Sequence, residues 1–460
     1  MIQELFNNSF IVSTRKLTIQ RFKNWMCKKN GYYITVFNEA LVSQIKKNDL
    51  YINFDTMQIM SKEKNQYGLR IDGNVLLLSN NEMNTRDLYY IYDKNANLFI
   101  IFNNLLLAKE ILLKSGLSLE YDYNKIYENG SYFKHIQLLE HSEVITINNQ
   151  NGTITLTKTK LEDVLIQIKV NNLYTIEAVN QKLLNILIET TEILTRNYDN
   201  VSILLSGGLD SATIAYILKK LNKNVTAYTV GTEWDNEYED AAKIAKYINI
   251  NLNKIFLSKE EMLREIPYII AFLGFNNDEN IEISLVPQCL FRKISELYPD
   301  RKILFATGFG ADLINAGIYH EFNDYDALKE QLIQVLYKTR MSNELYSNLF
   351  FNNNSYFPNI NVVHPFWNIE VIKESLRIPT EFKIQNNIGK YFFRKMMEEH
   401  LGKENAWRSK QAIHQGTGIS ANLKTIILDK NEILQNDDYK LYYKDLHKKL
   451  FFENDFSLLK

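Results

Sequence analysis

The chain has 460 residues, of which 45% are hydrophobic, and a formal net charge of −1. That length suits two or three domains with cores of their own, and the balanced charge offers no broad basic surface for nucleic acid or anionic membrane. Two cysteines, Cys27 and Cys289, argue against a disulfide framework and suit a reducing, cytoplasmic setting; the first residues lack a signal-peptide pattern, and the most apolar segments are too short to span a bilayer.

In chain order, alternating apolar residues predict short strands over 32–37, 74–78, 88–92, 98–102, 144–148 and 153–157, with a helix over 104–114. Residues 1–165 therefore read as an antiparallel α+β domain. A linker is expected over 161–171, then a long amphipathic helix over 175–196 with Val179, Leu183 and Leu187 on its apolar face. Beyond it, strands over 201–205, 225–231, 254–257 and 302–307 alternate with helices over 211–221, 237–247, 259–272 and 287–297. That βαβ rhythm predicts a parallel doubly wound sheet over 166–460, with ligand at the carboxyl ends of its strands and a mostly helical C-terminal region.

Three loops stand at predicted strand ends. Leu205-Ser206-Gly207-Gly208-Leu209-Asp210-Ser211 joins a strand to a helix start. Such a turn cradles phosphate, because unpaired N–H groups and the positive end of the helix dipole face the anion. The absence of a following Gly-Lys-Ser/Thr excludes a Walker loop. Val230-Gly231-Thr232-Glu233 follows the next strand and suits an adenine and ribose edge, although Thr232 and the nearby Glu237 are also plain candidates for helix capping. Thr307-Gly308-Phe309-Gly310-Ala311-Asp312 follows a third strand, and Asp312 joins Asp210 as a candidate magnesium ligand. Eight of the 17 glycines fall within 207–231, 308–317 and 416–418, which predicts that these windows line one site.

The first loop resembles the SGGxDS loop of ATP pyrophosphatases, which cleave ATP between the α and β phosphates. Several further runs resemble the asparagine-synthetase superfamily, and within it the β-lactam and carbapenam synthetases. They are Gly231-Thr232-Glu233 with Asn236-Glu237-Tyr238, the Thr307 to Asp312 loop, His364-Pro365-Phe366-Trp367, Gly389-Lys390-Tyr391 through Arg394, and Arg408-Ser409-Lys410 with His414 through Gly418. Lys390 and Lys410 stand twenty residues apart, as in that family. The resemblance covers most of 200–422 and implies an adenine nucleotide α-hydrolase-like domain, with a degenerate, Ntn-hydrolase-like glutaminase domain before it. A glutaminase of that kind needs an N-terminal cysteine, and here residue 2 is isoleucine.

The resemblance implies ATP and magnesium as cofactors. Leu205, Ser206, Gly207, Gly208, Asp210, Ser211, Val230, Gly231, Gly308, Gly310 and Lys390 would hold nucleotide and pyrophosphate, Asp210 and Asp312 the metal, and Lys410 the charge developing on the acyl group. The lactam enzymes use a tyrosine paired with a glutamate to deprotonate the attacking amine. Phe309 replaces that tyrosine, and Glu344 stands about where the glutamate belongs, with Tyr319 and His320 as other bases. The expected partner is an amino-acid-derived small molecule or a peptide, not nucleic acid or membrane, and a homo-oligomer is compatible. Amidation with free ammonia, macrolactam closure of a peptide and non-catalytic nucleotide binding are the alternatives.

Overall fold

The computed structural model describes the chain from Phe6 to Leu459, apart from 7–8, 40, 42–44, 46–50, 54–57, 61–67, 80–87, 123–125, 128–129, 141, 151–152, 161–164, 166, 172–173, 318–324, 342–356, 358, 410–411 and 431–438. Twelve strands form two six-stranded antiparallel sheets in its first part. They are β1 Phe10–Ser13, β2 Trp25–Lys29, β3 Tyr32–Val36, β4 Tyr51–Asn53, β5 Gln58–Met60, β6 Gly68–Asp72, β7 Val75–Ser79, β8 Tyr89–Asp93, β9 Leu98–Phe102, β10 Gln137–Leu138, β11 Glu143–Gln150 and β12 Thr153–Lys160. One sheet runs β10-β8-β9-β1-β3-β2 and the other β12-β11-β7-β6-β4-β5.

The central strands of the first sheet are buried on both faces. Phe99 and Ile101 of β9 face Leu76, Leu78, Ile145 and Ile147 of the second sheet, whereas Leu98, Ile100 and Phe102 join helix α1 (Ala108–Ser115) and the helices of the second half. A strand covered on both sides reads as a continuous apolar run rather than an alternation, which is why Phe10-Ile11-Val12 of β1 carries no period-two signal.

The second half holds a five-stranded parallel sheet. Its strands are β13 Asn200–Leu204, β14 Asn224–Gly231, β15 Asn251–Phe256, β16 Ile303–Ala306 and β17 Ile360–Val363, in the order β15-β14-β13-β16-β17. Helices α2 Ile176–Thr195, α3 Leu209–Lys220, α4 Tyr238–Ile248, α5 Lys259–Leu273 and α6 Asp278–Leu297 connect and cover them. Thr175 caps α2 through the Ala178 amide, and a Ser258–Glu261 capping box opens α5. Helices α2, α3 and α4 pack on one face of the sheet and α5 and α6 on the other, where they meet the antiparallel half.

Strands β1, β2, β4, β5, β6 and β10 have no counterpart in the sequence reading, and two elements of the parallel half differ from it as well. Helix α6 starts at Asp278 and carries Pro287 inside it, because Asn277 caps its first turn and the helix tolerates one missing N–H. The last strand, β17, completes the sheet at its edge from a four-residue run too short to announce itself.

A short helix, α7 (Ala311–Ile314), follows β16, and α8 Tyr325–Met341, α9 Ile369–Arg377 and α10 Thr380–Lys383 come next. Hairpin strands β18 Ile384–Gln385 and β19 Ile388–Gly389 then lead to α11 Tyr391–Leu401. Lys383 is buried and donates to the Ile314 carbonyl at 2.7 Å, holding the end of α7, and to Ser375 Oγ at 3.2 Å. Burial pushes its ammonium down from 10.5 to about 7. Between those values the unfolded chain binds the proton that the native chain does not, so Lys383 adds stability above 10.5 that is lost as pH falls through about 7. Lys383→Met should flatten the rise of stability with pH in that window, measured by urea unfolding, and a slope equal to the parent's would refute the assignment.

Candidate functional site

The parallel sheet changes direction of winding between β13 and β16, and the loops after these two strands face each other there. Leu205 continues the sheet, its amide bonded to the Tyr228 carbonyl at 2.8 Å. Gly207 then turns with φ +67, a left-handed value that favours glycine, and Gly208 opens α3 without a side-chain cap. Ser206 and Ser211 close the turn, with their hydroxyls 3.3 Å apart and the Ser206 amide donating to Ser211 Oγ at 3.3 Å.

The third loop lies directly on the first. A Cβ on Gly308 would fall 2.6 Å from the Ser211 nitrogen and 2.7 Å from the Asp210 carbonyl carbon. Only glycine permits that approach, since both contacts are backbone. The contact brings Asp210, in the first turn of α3, close to Asp312, in the first turn of α7. Gly310 turns beside Trp367, and the Phe309 ring packs edge-on against His364 and Trp367 with centroids 5.4 and 5.6 Å away. The His364 Nδ1 is 2.5 Å from Thr307 Oγ1.

Lys390 enters between the two carboxylates. Asn386 and Asn387, with φ +51 and +59, make the tight turn of the β18–β19 hairpin, and Lys390 follows with φ +58. Its Nζ lies 2.6 Å from each Asp210 oxygen and 2.5 Å from Asp312 Oδ1, with its side chain only 4% exposed. Burial works against its charge, but the two carboxylates outweigh it and raise the lysine above its usual range. A Cβ on Gly317 would stand 2.1 Å from Asp312 Oδ1 and 2.2 Å from Lys390 Cε, so glycine makes room for the cluster.

The second window joins through Arg408. Val230 and Gly231 end β14, and Thr232 Oγ1 donates to the Thr417 carbonyl at 2.6 Å. Arg408 donates to the Gly207 carbonyl at 2.8 Å and pairs with Asp240 at 2.6 Å and Glu237 at 3.5 Å. Glu237 is buried, and desolvation lifts its carboxyl to about 7 against the pull of Arg408. It is therefore more than a helix-dipole partner. The sequence motif assigns Arg408 no role, and its place two residues before Lys410 is the signal that points to it.

The structure thus brings together Ser206, Gly207, Gly208, Asp210, Ser211, Gly308, Asp312 and Lys390, with Gly231 and Gly416 joined to them through the second window. Lys410, Glu344, Tyr319 and His320 lie outside the described residues. Among the described residues no group of three or more His, Cys, Asp and Glu side chains could hold a metal. Two carboxylates that share one cation nevertheless suit magnesium, which is bound through one or two carboxylates together with phosphate oxygens and water.

Replacing Gly308 with alanine should force the first and third loops apart and cost about 1–3 kcal/mol of stability. Thermal unfolding measures this; a Gly308→Ala variant as stable as the parent would show that the loops are not in contact.

Among the described residues, no helix is long and apolar enough to cross a membrane. Carboxyethyl-arginine beta-lactam-synthase of Streptomyces clavuligerus is 26% identical over 231 residues, covering 50% of this chain and 43% of that protein. Asparagine synthetase [glutamine-hydrolyzing] of Gallus gallus is 26% identical over 230 residues, covering 47% of this chain and 39% of that protein. The matches thus span less than half the length of these curated relatives. A solved NMN synthetase from Francisella tularensis aligns with 62% of this chain and 97% of its own at 13% identity and a TM-score of 0.30. The family model for asparagine synthase matches residues 182–348 and 352–455, which take in the parallel sheet and every loop of the site, and the chain belongs to that family.

Proposed function

We propose that this chain is an ATP-dependent carbon–nitrogen ligase that activates a carboxylate as its adenylate and closes it onto an amine of the same substrate. The observation that carries the reading is the convergence of Asp210, Asp312 and Lys390 beside the Ser206 to Ser211 turn, at the switch point of a parallel sheet. The similarity to a beta-lactam-synthase supports it. The division of labour is a synthetase domain over 166–460 and, over 1–165, a worn Ntn-hydrolase-like domain.

The phosphates lie on the turn at the start of α3, with the serine hydroxyls as donors. Magnesium, when bound, neutralises phosphate charge, and Asp210 and Asp312 are the ligands that fit it. A substrate carboxylate oxygen attacks the α phosphorus, the bond to the β-phosphate oxygen breaks, and pyrophosphate leaves with Lys390 balancing its charge. The substrate amine then bonds to the acyl carbon, AMP leaves, and Lys410 stabilises the oxyanion. The amine must lose a proton, and the Phe309 ring cannot accept it. That tyrosine belongs to the lactam enzymes, so its replacement weighs for a second reading, in which free ammonia attacks, loses a proton in its turn and leaves an open amide.

Neither Cys27 nor Cys289 is placed to hydrolyse glutamine as an N-terminal nucleophile. Cys27 lies inside β2, opposite Ile34 of β3, and so has no free α-amine to serve as base for its thiol. Cys289 is buried in α6, where desolvation raises its thiol well above the usual range.

Incubation with ATP and a panel of amino-acid-derived substrates should release AMP and pyrophosphate; ADP and phosphate would end this reading. Product mass with and without ammonium separates ring closure from amidation. Lys410→Ala should lower the ligation rate by about a hundredfold, and a variant that ligates at the parental rate removes this lysine from its role.

A further inference from the structure

The three charges at the centre of the site are held by separate parts of the fold. Asp210 starts α3, Asp312 starts α7, and Lys390 ends the β18–β19 hairpin. Among the described residues, two carboxylates and one ammonium share the space, and the ammonium contacts both carboxylates. A divalent ion seated on the same oxygens would stand within a few ångströms of that ammonium, and like charges at that separation repel. Nor can Lys390 swing aside at no cost. Its stem packs against Gly317, its backbone is left-handed, and its side chain is almost wholly buried. Arg394, one turn along α11, donates to the Gly389, Ala406 and Arg408 carbonyls and so fixes a second positive charge on the helix that follows Lys390. A displaced ammonium therefore needs another anion inside the site.

We propose that Lys390 is a built-in counter-ion that occupies the metal's place, so that a divalent ion is admitted only together with a polyphosphate that takes over the ammonium. The proposal rests on the reading of this cluster as the nucleotide site. Free divalent ions then bind poorly, and the metal enters as its complex with the nucleotide. When pyrophosphate leaves, Lys390 returns to the two carboxylates and the metal loses its hold. The same residue thus couples pyrophosphate departure to metal release, with no change in fold.

Manganese alone, titrated against the whole chain and followed by electron paramagnetic resonance, tests this without nucleotide. Lys390→Met should bind the ion about tenfold more tightly than the parent, or better, within the range usual for coupled sites. Adding Asp312→Asn to that variant should abolish the gain. A folded Lys390→Met variant, verified by circular dichroism, with no gain would overturn the proposal.

A second measurement needs no variant. Acetylation of Lys390 in the parent, mapped by mass spectrometry, should be unchanged by free magnesium and should change when pyrophosphate is added with it. A change with magnesium alone, or labelling indifferent to pyrophosphate, would equally overturn the lock. Failure of the parent to release AMP from ATP would instead refute the proposed reaction and leave the manganese comparison standing.

Discussion

A buried ammonium shared by two carboxylates holds this site together. Lys390, Asp210 and Asp312 come from segments separated by up to 180 residues, and each is ordered by the other two. Removing charges from water is expensive, and the attraction offsets that cost only when the geometry is good. Here one lysine satisfies two acids at hydrogen-bonding distance. The loops after β13 and β16 must therefore stay close, and the β18–β19 hairpin must end where it does.

Close backbone packing makes that arrangement possible. Gly308 lets the third loop rest on the first, and Gly317 leaves room for Lys390 and Asp312. Arg408 adds a tie from the other side, bonding the Gly207 carbonyl while Glu237 and Asp240 balance its charge. The phosphate turn is thus braced by the segment that leads to Lys410. A shift in either would be felt by the other, because interiors packed this tightly do not deform smoothly.

The antiparallel half contributes stability to the same assembly. Its first sheet buries one face against the second sheet and the other against α1, α5, α6 and the C-terminal residues Leu450, Phe452 and Phe456. An apolar interface of that kind ties the two halves together.

The sequence alone determined the parallel sheet, the three strand-end loops and the grouping of their glycines. Those signals are local: apolar runs, helix starts and residues that only a tight turn or a close approach requires. It also pointed to Asp210, Asp312 and Lys390 as members of one site. Strands β1, β2, β4, β5, β6, β10 and β17 and the β18–β19 hairpin stayed hidden, since two-sided burial, edge positions and shortness blur the alternation that marks a strand. Tertiary structure alone decided that Lys390 sits between the two aspartates, that Arg408 grips Gly207 and that Glu237 is buried and hard to ionise. These are facts about distance and desolvation between residues far apart in the chain, and no pattern of residue types along a sequence carries a distance.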